Sequence, residues 1–380
     1  LHSTGGLIVR DWVHTEFVAR DKKPPINNLI MLAPANFGSP LAHKGRAIYG
    51  RVIKGFHSGK RFQTGARILK ALEMASPYTW DLAERDRFVA NPYSATGIRT
   101  TVIVGNRGYR GISALANEKG SDGTVYVATA NLNCMQVQLR FPAGPGKPTV
   151  SALKPARGET AFRIIDDFNH GMVALKDIDD DQRQRVLGLI LEALAISNAD
   201  EFRAWVAECE TKTQQVMAAN ADDEYKHGYQ NTVFRVRDDH GFDVTDYVIE
   251  FYHDVQKGIL DHLAERIYRD AVTKVHVNKE SSALRSFMID CTALHRIIDE
   301  EDENLRISLS AMPDLSEGKN KVGYLSFGDD DIGRMELNAT EVSAFFTGNR
   351  TLLVDIVLPR QQKPELFWIK PLSEFDPADD

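Results

Sequence analysis

Hydrophobic residues in the first half of the chain are spaced as in alternating helices and buried strands. Residues 3–19 (STGGLIVRDWVHTEFVA) carry apolar side chains at helical intervals, which predicts a helix. Two continuously apolar runs, residues 28–33 (NLIMLA) and 98–104 (IRTTVIV), are typical of strands buried on both faces of a parallel sheet. The other predicted elements are strands at 135–141 and 160–165 and a helix at 182–197. This order predicts an α/β layer fold.

Beyond residue 227 the chain changes to short alternating or β-branched runs separated by turns. That pattern is typical of a mainly antiparallel β-sandwich, here with one helix near 255–268. A predicted helix at about 200–219 and a polar stretch after it separate the two patterns. We therefore expect three units, which are an α/β domain at 1–197 with an insertion at about 39–97, a helical linker at 198–226 and a β-rich accessory domain at 227–380.

Composition narrows the classes of function. The net charge of −7 gives no electrostatic support to a nucleic-acid partner. The three cysteines lie far apart without a CxxC pair, which argues against a zinc module and a disulfide framework. Neither a metal nor a cofactor is predicted. No apolar run approaches the roughly 18 residues of a membrane span. Localisation stays open, because a targeting segment would precede residue 1.

Residues 3–5 (Ser-Thr-Gly) suit the nucleophile turn of a serine hydrolase. A sharp strand-to-helix turn exposes the Ser3 hydroxyl, and the Thr4 amide at the helix start can point at a developing oxyanion. A serine hydroxyl also needs a histidine base, and that base needs an acid that fixes its tautomer. In the GxSxG pattern, the position two residues after the serine is filled by Gly5, but the position two residues before it is Leu1.

Four fragments in order resemble bacterial α/β-hydrolases of the lipase/esterase superfamily: HSTGGLIVRDW, LAPANFGSPLA, GSDGTV and DDFNHGMV. The resemblance covers about residues 1–197, so the expected fold is the C-terminal part of an α/β-hydrolase followed by a β-rich, sandwich-like domain. It implies Ser3 as nucleophile, Asp122 as acid, His170 as base and the Thr4 N–H as one oxyanion donor. The implied activity is cleavage of carboxylic esters through an acyl-enzyme.

The resemblance also implies strands upstream of the serine, together with a second oxyanion donor from that region. We therefore expect the sequence to be a fragment that lacks its N-terminal strands. Because removing one oxyanion donor typically costs about 10²–10³ in turnover, we expect this fragment alone to be poorly active.

The insertion predicted at 39–97 occupies the position of a cap or lid in lipases. Within it, residues 43–70 carry eight basic residues and no acidic one: Lys44, Arg46, Arg51, Lys54, Lys60, Arg61, Arg67 and Lys70. A basic amphipathic segment over a lipase-like site suits an anionic membrane surface, and favours lipid esters, acylglycerols or phospholipids, as substrates. The alternative is a solvated helical face packed on the domain.

Other interpretations remain open at this point. Asp122 could be an ordinary turn residue, and Asp166 and Asp167 are rival acids. The chain could be a non-catalytic, degenerate hydrolase that acts as an interaction protein, or a secreted phospholipase effector toxin. The GNRGYRG segment (Gly105, Gly108 and Gly111) lacks the spacing of a phosphate-binding loop.

Overall fold

The chain forms an α/β layer followed by a β-rich part. The computed structural model describes residues 1–42, 61–110, 114, 117–142, 146–252, 262–301, 304–312 and 335–359. The described helices are α1 (Gly5–Glu16), α2 (Arg61–Leu72), α3 (Pro77–Ala83), α4 (Val127–Ala130), α5 (His170–Val173), α6 (Asp180–Ala195), α7 (Ala199–Ala219), α8 (His262–Arg266), α9 (Cys291–Glu301) and α10 (Ala339–Phe345).

The described strands fall into three sheets. They are β1 (Asn28–Leu32), β2 (Arg99–Gly105), β3 (Met135–Arg140), β4 (Thr149–Val150), β5 (Lys154–Pro155), β6 (Ala161–Ile165), β7 (Tyr229–Asp238), β8 (Asp246–Tyr252), β9 (Val272–Val277), β10 (Leu284–Asp290), β11 (Leu305–Met312), β12 (Met335–Leu337) and β13 (Arg350–Leu358).

The first sheet is parallel and has the order β1-β2-β6. Residues 1–3 extend it, because Leu32 N donates to Leu1 O at 2.7 Å and Ser3 N donates to Leu32 O at 3.0 Å. The chain start therefore runs alongside β1 in the same direction. All these segments end at one edge of the sheet, and the residues that follow each of them meet there.

Helices flank this sheet as expected for an α/β layer. Helix α6 packs against β1 and α7 packs against β6. Each begins with a polar side chain that accepts hydrogen bonds from the free backbone amides of its first turn, Asp179 for α6 and Asn198 for α7. Both apolar runs form strands as predicted; β2 is buried at six successive positions after Arg99, whereas β1 alternates between half-buried and buried positions.

The second sheet has the order β4-β3-β13-β7-β10-β9, and β5 also pairs with β3. Strand β13 is parallel to both of its neighbours, whereas β7, β10 and β9 are antiparallel. The expectation of a mainly antiparallel sandwich is therefore wrong for the middle of this sheet. Strand β3, which comes from the first half of the chain, joins β13 instead of the parallel sheet.

The third sheet, β12-β11-β8, is antiparallel and shares one hydrophobic core with the second. The core takes in β-strand side chains from both sheets and the apolar face of α9, including Leu294 and Ile298. Two sheets around one core fit the sandwich-like expectation for the C-terminal part. The predicted boundaries at residues 197 and 227 remain a prediction, and β3 pairs across them.

Part of the predicted cap lies outside the described residues. Residues 43–60 form this gap. Helix α2 follows the gap, and α3 begins at Pro77 after Ser76, whose hydroxyl accepts a hydrogen bond from Thr79 N.

Candidate active site

Ser3 occupies a strained turn between the edge segment of the parallel sheet and α1. Its φ of 56° lies in the left-handed region, which a residue with a Cβ seldom adopts. The turn is closed by backbone hydrogen bonds from Gly5 N to His2 O at 3.0 Å and from Gly6 N to Ser3 O at 3.1 Å. This is the geometry of a nucleophile turn, which holds a serine side chain clear of its own backbone.

The two glycines after the serine turn are not equivalent. A Cβ on Gly6 would lie 2.7 Å from Pro34 Cβ and 2.8 Å from Asn36 Oδ1, whereas a Cβ on Gly5 would meet Leu1 Cβ at an ordinary 3.5 Å. Leu1 itself is 52% exposed. The leucine that departs from the GxSxG pattern is therefore accommodated at the surface, and the close approach is at Gly6.

Thr4 precedes the first residue of α1 with backbone angles of φ −53° and ψ −23°. Within the described residues, its N–H donates no hydrogen bond, unlike those of Ser3, Gly5 and Gly6. A free amide at a helix start beside a nucleophile is suited to bind an oxyanion. The prediction that a second donor lies upstream of residue 1 is not tested by these residues.

Asp122 and His170 form a buried pair beyond the ends of β2 and β6. The distance between Asp122 Oδ2 and His170 Nδ1 is 2.8 Å, and both side chains are almost completely buried. The other carboxylate oxygen, Oδ1, accepts from Thr124 N at 2.9 Å and Val125 N at 2.8 Å. A further bond from His170 N to Asp122 O, at 2.9 Å, ties the two loops together. Asp122 can thus fix the tautomer and orientation of His170.

His2 brings the serine turn against His170. The two imidazole rings lie with centroids 4.4 Å apart, and His2 Nε2 is 3.2 Å from His170 O. His170 Nε2 is shielded from solvent and has no hydrogen-bond partner. Ser3 Oγ forms no hydrogen bond with a described residue either. Both atoms are thus free of hydrogen bonds to the described residues, and in hydrolases without substrate the catalytic hydrogen bonds often tighten only on binding.

Burial, together with the neighbouring charge of His170, lowers the pKa of His2 from an ordinary 6.5 to about 4. His2 is therefore neutral at pH 7, and it places no positive charge beside the imidazole of His170. A neutral His2 can donate its Nε2–H to the His170 carbonyl. No sequence pattern indicates this contact apart from the position of His2 next to Ser3.

The rival acids are engaged elsewhere. Asp166 accepts hydrogen bonds from Asn106 and Lys226, and Asp167 pairs with Arg107 at 2.6 Å. Among the described contacts, neither carboxylate reaches His170. Asp122 is the carboxylate that contacts His170.

The GNRGYRG segment has a packing role. A Cβ on Gly105 would lie 1.9 Å from Phe168 O, so only glycine lets the end of β2 touch the loop that carries His170. Asn106 continues this support, because Asp167 N donates to its Oδ1 at 2.8 Å. The segment therefore helps to position the histidine loop.

A second feature that the sequence did not indicate is a buried ion pair beneath α1. Arg10 Nε lies 2.8 Å from Asp86 Oδ2, and both side chains are fully buried. Arg10 Nη1 also donates to Asn36 O at 2.7 Å. The ion pair links α1 to the helical turn at Glu84–Val89, and the bond to Asn36 O links α1 to the loop after β1. Together these contacts hold the helix that follows Ser3 against the sheet.

The described residues contain no group of three or more histidine, cysteine or acidic side chains that could hold a metal ion. Among the helices in the described ranges, none is both long and apolar enough to cross a membrane.

Parallel strands that bring a serine, an aspartate and a histidine to one edge are typical of the α/β-hydrolase fold, and this chain has that fold. Two solved structures share it. The first is phospholipase PlaB from Legionella pneumophila in complex with thio-NAD, and the second is another structure of the same phospholipase. The first has a TM-score of 0.79 at 23% identity, over 99% of this chain and 79% of the other. The second has a TM-score of 0.78 at 23% identity, over 98% and 78%.

No family model matches the sequence. No curated protein matches it.

Proposed function

We propose that this protein is a serine hydrolase that cleaves carboxylic esters of lipids. The observation that carries the proposal is the buried Asp122–His170 pair, whose free Nε2 lies in the histidine loop that His2 joins to the strained Ser3 turn.

In the proposed mechanism, Ser3 Oγ attacks the ester carbonyl while His170 Nε2 takes the hydroxyl proton. Asp122 stabilises the imidazolium through the 2.8 Å contact at Nδ1. The Thr4 N–H donates to the oxyanion of the tetrahedral intermediate. His170 then gives its proton to the leaving alcohol, and an acyl group remains on Ser3. Water activated by His170 hydrolyses that acyl-enzyme and regenerates the serine.

Lipid esters are the proposed substrates for two reasons. The fold is similar to that of a phospholipase, and residues 43–70 carry the basic stretch predicted to contact an anionic lipid surface. Most of that stretch lies outside the described residues. The contact is tested with vesicles of phosphatidylcholine alone or with added phosphatidylglycerol, where raising the salt concentration should weaken binding to the anionic vesicles only.

The decisive test of the hydrolase proposal is covalent labelling. A fluorophosphonate probe should label the wild-type protein, and Ser3→Ala should lose the label. The control is Ser151→Ala, which removes a hydroxyl in an exposed loop and should retain full labelling. Labelling of Ser3→Ala at the wild-type rate, or no labelling of any variant, would favour the non-catalytic interaction protein.

The substrate class is tested separately on the protein that labels. We expect phospholipid or acylglycerol in mixed micelles to be hydrolysed with a higher kcat/KM than a short, water-soluble nitrophenyl ester. A preference for the soluble ester would contradict the lipid assignment and leave the serine mechanism intact. Phospholipid hydrolysis in excess of triglyceride hydrolysis would favour the phospholipase over the general lipase.

A further inference from the structure

A cleft of about 520 Å³ lies between the α/β layer and the C-terminal sheet. Its walls include Thr160 before β6, Glu210 and Thr213 on α7, and Arg350 at the start of β13. Clefts of this size between two parts of a protein are common positions for small-ligand sites.

This cleft is distinct from the candidate active site. Thr160 precedes β6, whereas His170 follows it, and the five residues of that strand extend over about 16 Å. The residues that line the cleft include none of Ser3, Asp122 and His170. The two sites therefore lie at opposite edges of the parallel sheet, and this inference does not depend on the proposed function.

Arg350 is a cation without a partner in this cleft. Its Nε is shielded from solvent and has no hydrogen-bond partner, and its guanidinium forms no ion pair with a described residue. Burial lowers the pKa of Arg350, while the charge of Glu210 opposes that shift. An arginine stays protonated in proteins, so a positive charge faces the cleft.

Two arginines on the adjacent strand, β7, have the carboxylate partner that Arg350 lacks. Arg235 Nε lies 3.1 Å from Asp355 and Arg237 Nη2 lies 2.7 Å from it, so both are neutralised within the sheet. A partly desolvated guanidinium that lacks such a partner gains most from a ligand that brings its own anion, because charge-assisted, bidentate hydrogen bonds to a carboxylate or phosphate are strong.

We propose that the cleft binds a small hydroxylated anion, whose phosphate or carboxylate pairs with Arg350 and whose hydroxyl groups donate to Glu210. The acidic side chain disfavours a ligand with several negative groups, and its oxygens accept hydrogen bonds from hydroxyls. The ligand would contact both the α/β layer, through α7, and the C-terminal sheet, through β13.

The experiment measures binding by isothermal titration calorimetry with glycerol 3-phosphate, glycerate and glycerol, at constant ionic strength. We expect saturable binding of glycerol 3-phosphate or glycerate, and the tighter of the two identifies the anionic group. Glycerol, which has no anion, should not bind. Arg350→Met should weaken binding at least tenfold, and Arg350→Lys should weaken it less. Arg20→Met, which removes an exposed charge that pairs with Glu16, should bind like the wild type.

A second variant keeps the test decisive if Arg350→Met does not fold. Val206→Trp fills the cleft from α7 and leaves Arg350 in place, so it should also abolish binding. Absence of binding of both anions to the wild-type protein would overturn the proposal. So would unchanged affinity in the Arg350→Met and Val206→Trp variants.

Discussion

The protein contains two buried aspartate–histidine pairs that are nearly identical in geometry. His170 Nδ1 lies 2.8 Å from Asp122 Oδ2, and His227 Nδ1 lies 2.7 Å from Asp290 Oδ2. Each carboxylate also accepts backbone hydrogen bonds with its second oxygen, for example from Ala293 N to Asp290 Oδ1 at 2.9 Å. Distance and burial alone therefore do not distinguish one pair from the other.

The two histidines differ at Nε2, the ring nitrogen that does not contact the aspartate. His227 Nε2 is held 2.9 Å from Ala221 O, so both of its nitrogens are used to join the end of α7 to the C-terminal sheet. His170 Nε2 has no partner and lies in the loop against the Ser3 turn. Of the two pairs, only Asp122–His170 has a free ring nitrogen and lies against the Ser3 turn, and the proposed chemistry is assigned to it for that reason.

The largest effect should separate the two histidines. We expect His170→Ala to lower kcat for ester hydrolysis by about 10⁴–10⁶, because it removes the base proposed to accept the Ser3 proton. His227→Ala should leave kcat near the wild-type value and lower the free energy of unfolding by about 3 kcal/mol, since Asp290 loses its partner. The measurements are steady-state kinetics and urea unfolding. Loss of activity in a folded His227→Ala variant would mean that the two pairs are not separate in function.

Substitutions of the two aspartates should also separate an effect on activity from an effect on stability. Asp122→Asn should lower kcat by about 10⁴ because an amide no longer stabilises the required tautomer of His170. Asp290→Asn is the matched control, and we expect it to affect the unfolding midpoint and not kcat. An Asp122→Asn protein that keeps wild-type kcat over the whole pH range would show that His170 is oriented by other groups.

A smaller effect should distinguish the two glycines after the serine. Gly6→Ala forces a Cβ against Pro34 and Asn36, and should lower the free energy of unfolding by about 1–3 kcal/mol and reduce the rate of fluorophosphonate labelling. Gly5→Ala meets only ordinary contacts and serves as the control. Equal losses in both variants would mean that the strain of the turn, not the contact at Gly6, dominates.

The smallest effect concerns His2 and pH. Its folded-state pKa of about 4 lies below the unfolded value of 6.5, so acid stabilises the unfolded state as the pH falls from 6.5 towards 4. In His2→Gln, which retains a donor for the His170 carbonyl, the loss of unfolding free energy between pH 7 and pH 4.5 should be smaller than in the wild type by about 1–2 kcal/mol. An identical pH dependence in the two proteins would contradict the assigned cause.

Local patterns allowed prediction of the parallel sheet and of the residues at its edge. The apolar runs of β1 and β2 indicate strands, although only β2 is buried on both faces, and the fragments around Ser3, Asp122 and His170 occur in the expected order. The packing of His2 on His170 depends on how strands far apart in the chain are aligned, and no local pattern encodes that alignment.

The C-terminal part was less predictable for a related reason. Helix α9 follows β10 without a break, so the apolar run of the strand concealed the helix start, where Asp290 accepts a hydrogen bond from Ala293 N. Polar and apolar residues alternate along β3 as in any half-buried strand. The sheet to which β3 belongs is therefore set by the strand it pairs with and not by its own sequence. That partner is remote, since Gln138 and Asp355 are 217 positions apart and bonded at 2.8 Å.

The parallel position of β13 between β3 and β7 has a consequence for biosynthesis. Among the described strands it is synthesised last, yet it lies between β3 and β7 and pairs with both of them. Until it leaves the ribosome, β3 and β7 each present an unpaired edge, which is a template for association with other chains. A nascent chain stalled before residue 350 should therefore depend on a chaperone, and premature termination there should produce aggregates instead of a shorter soluble protein.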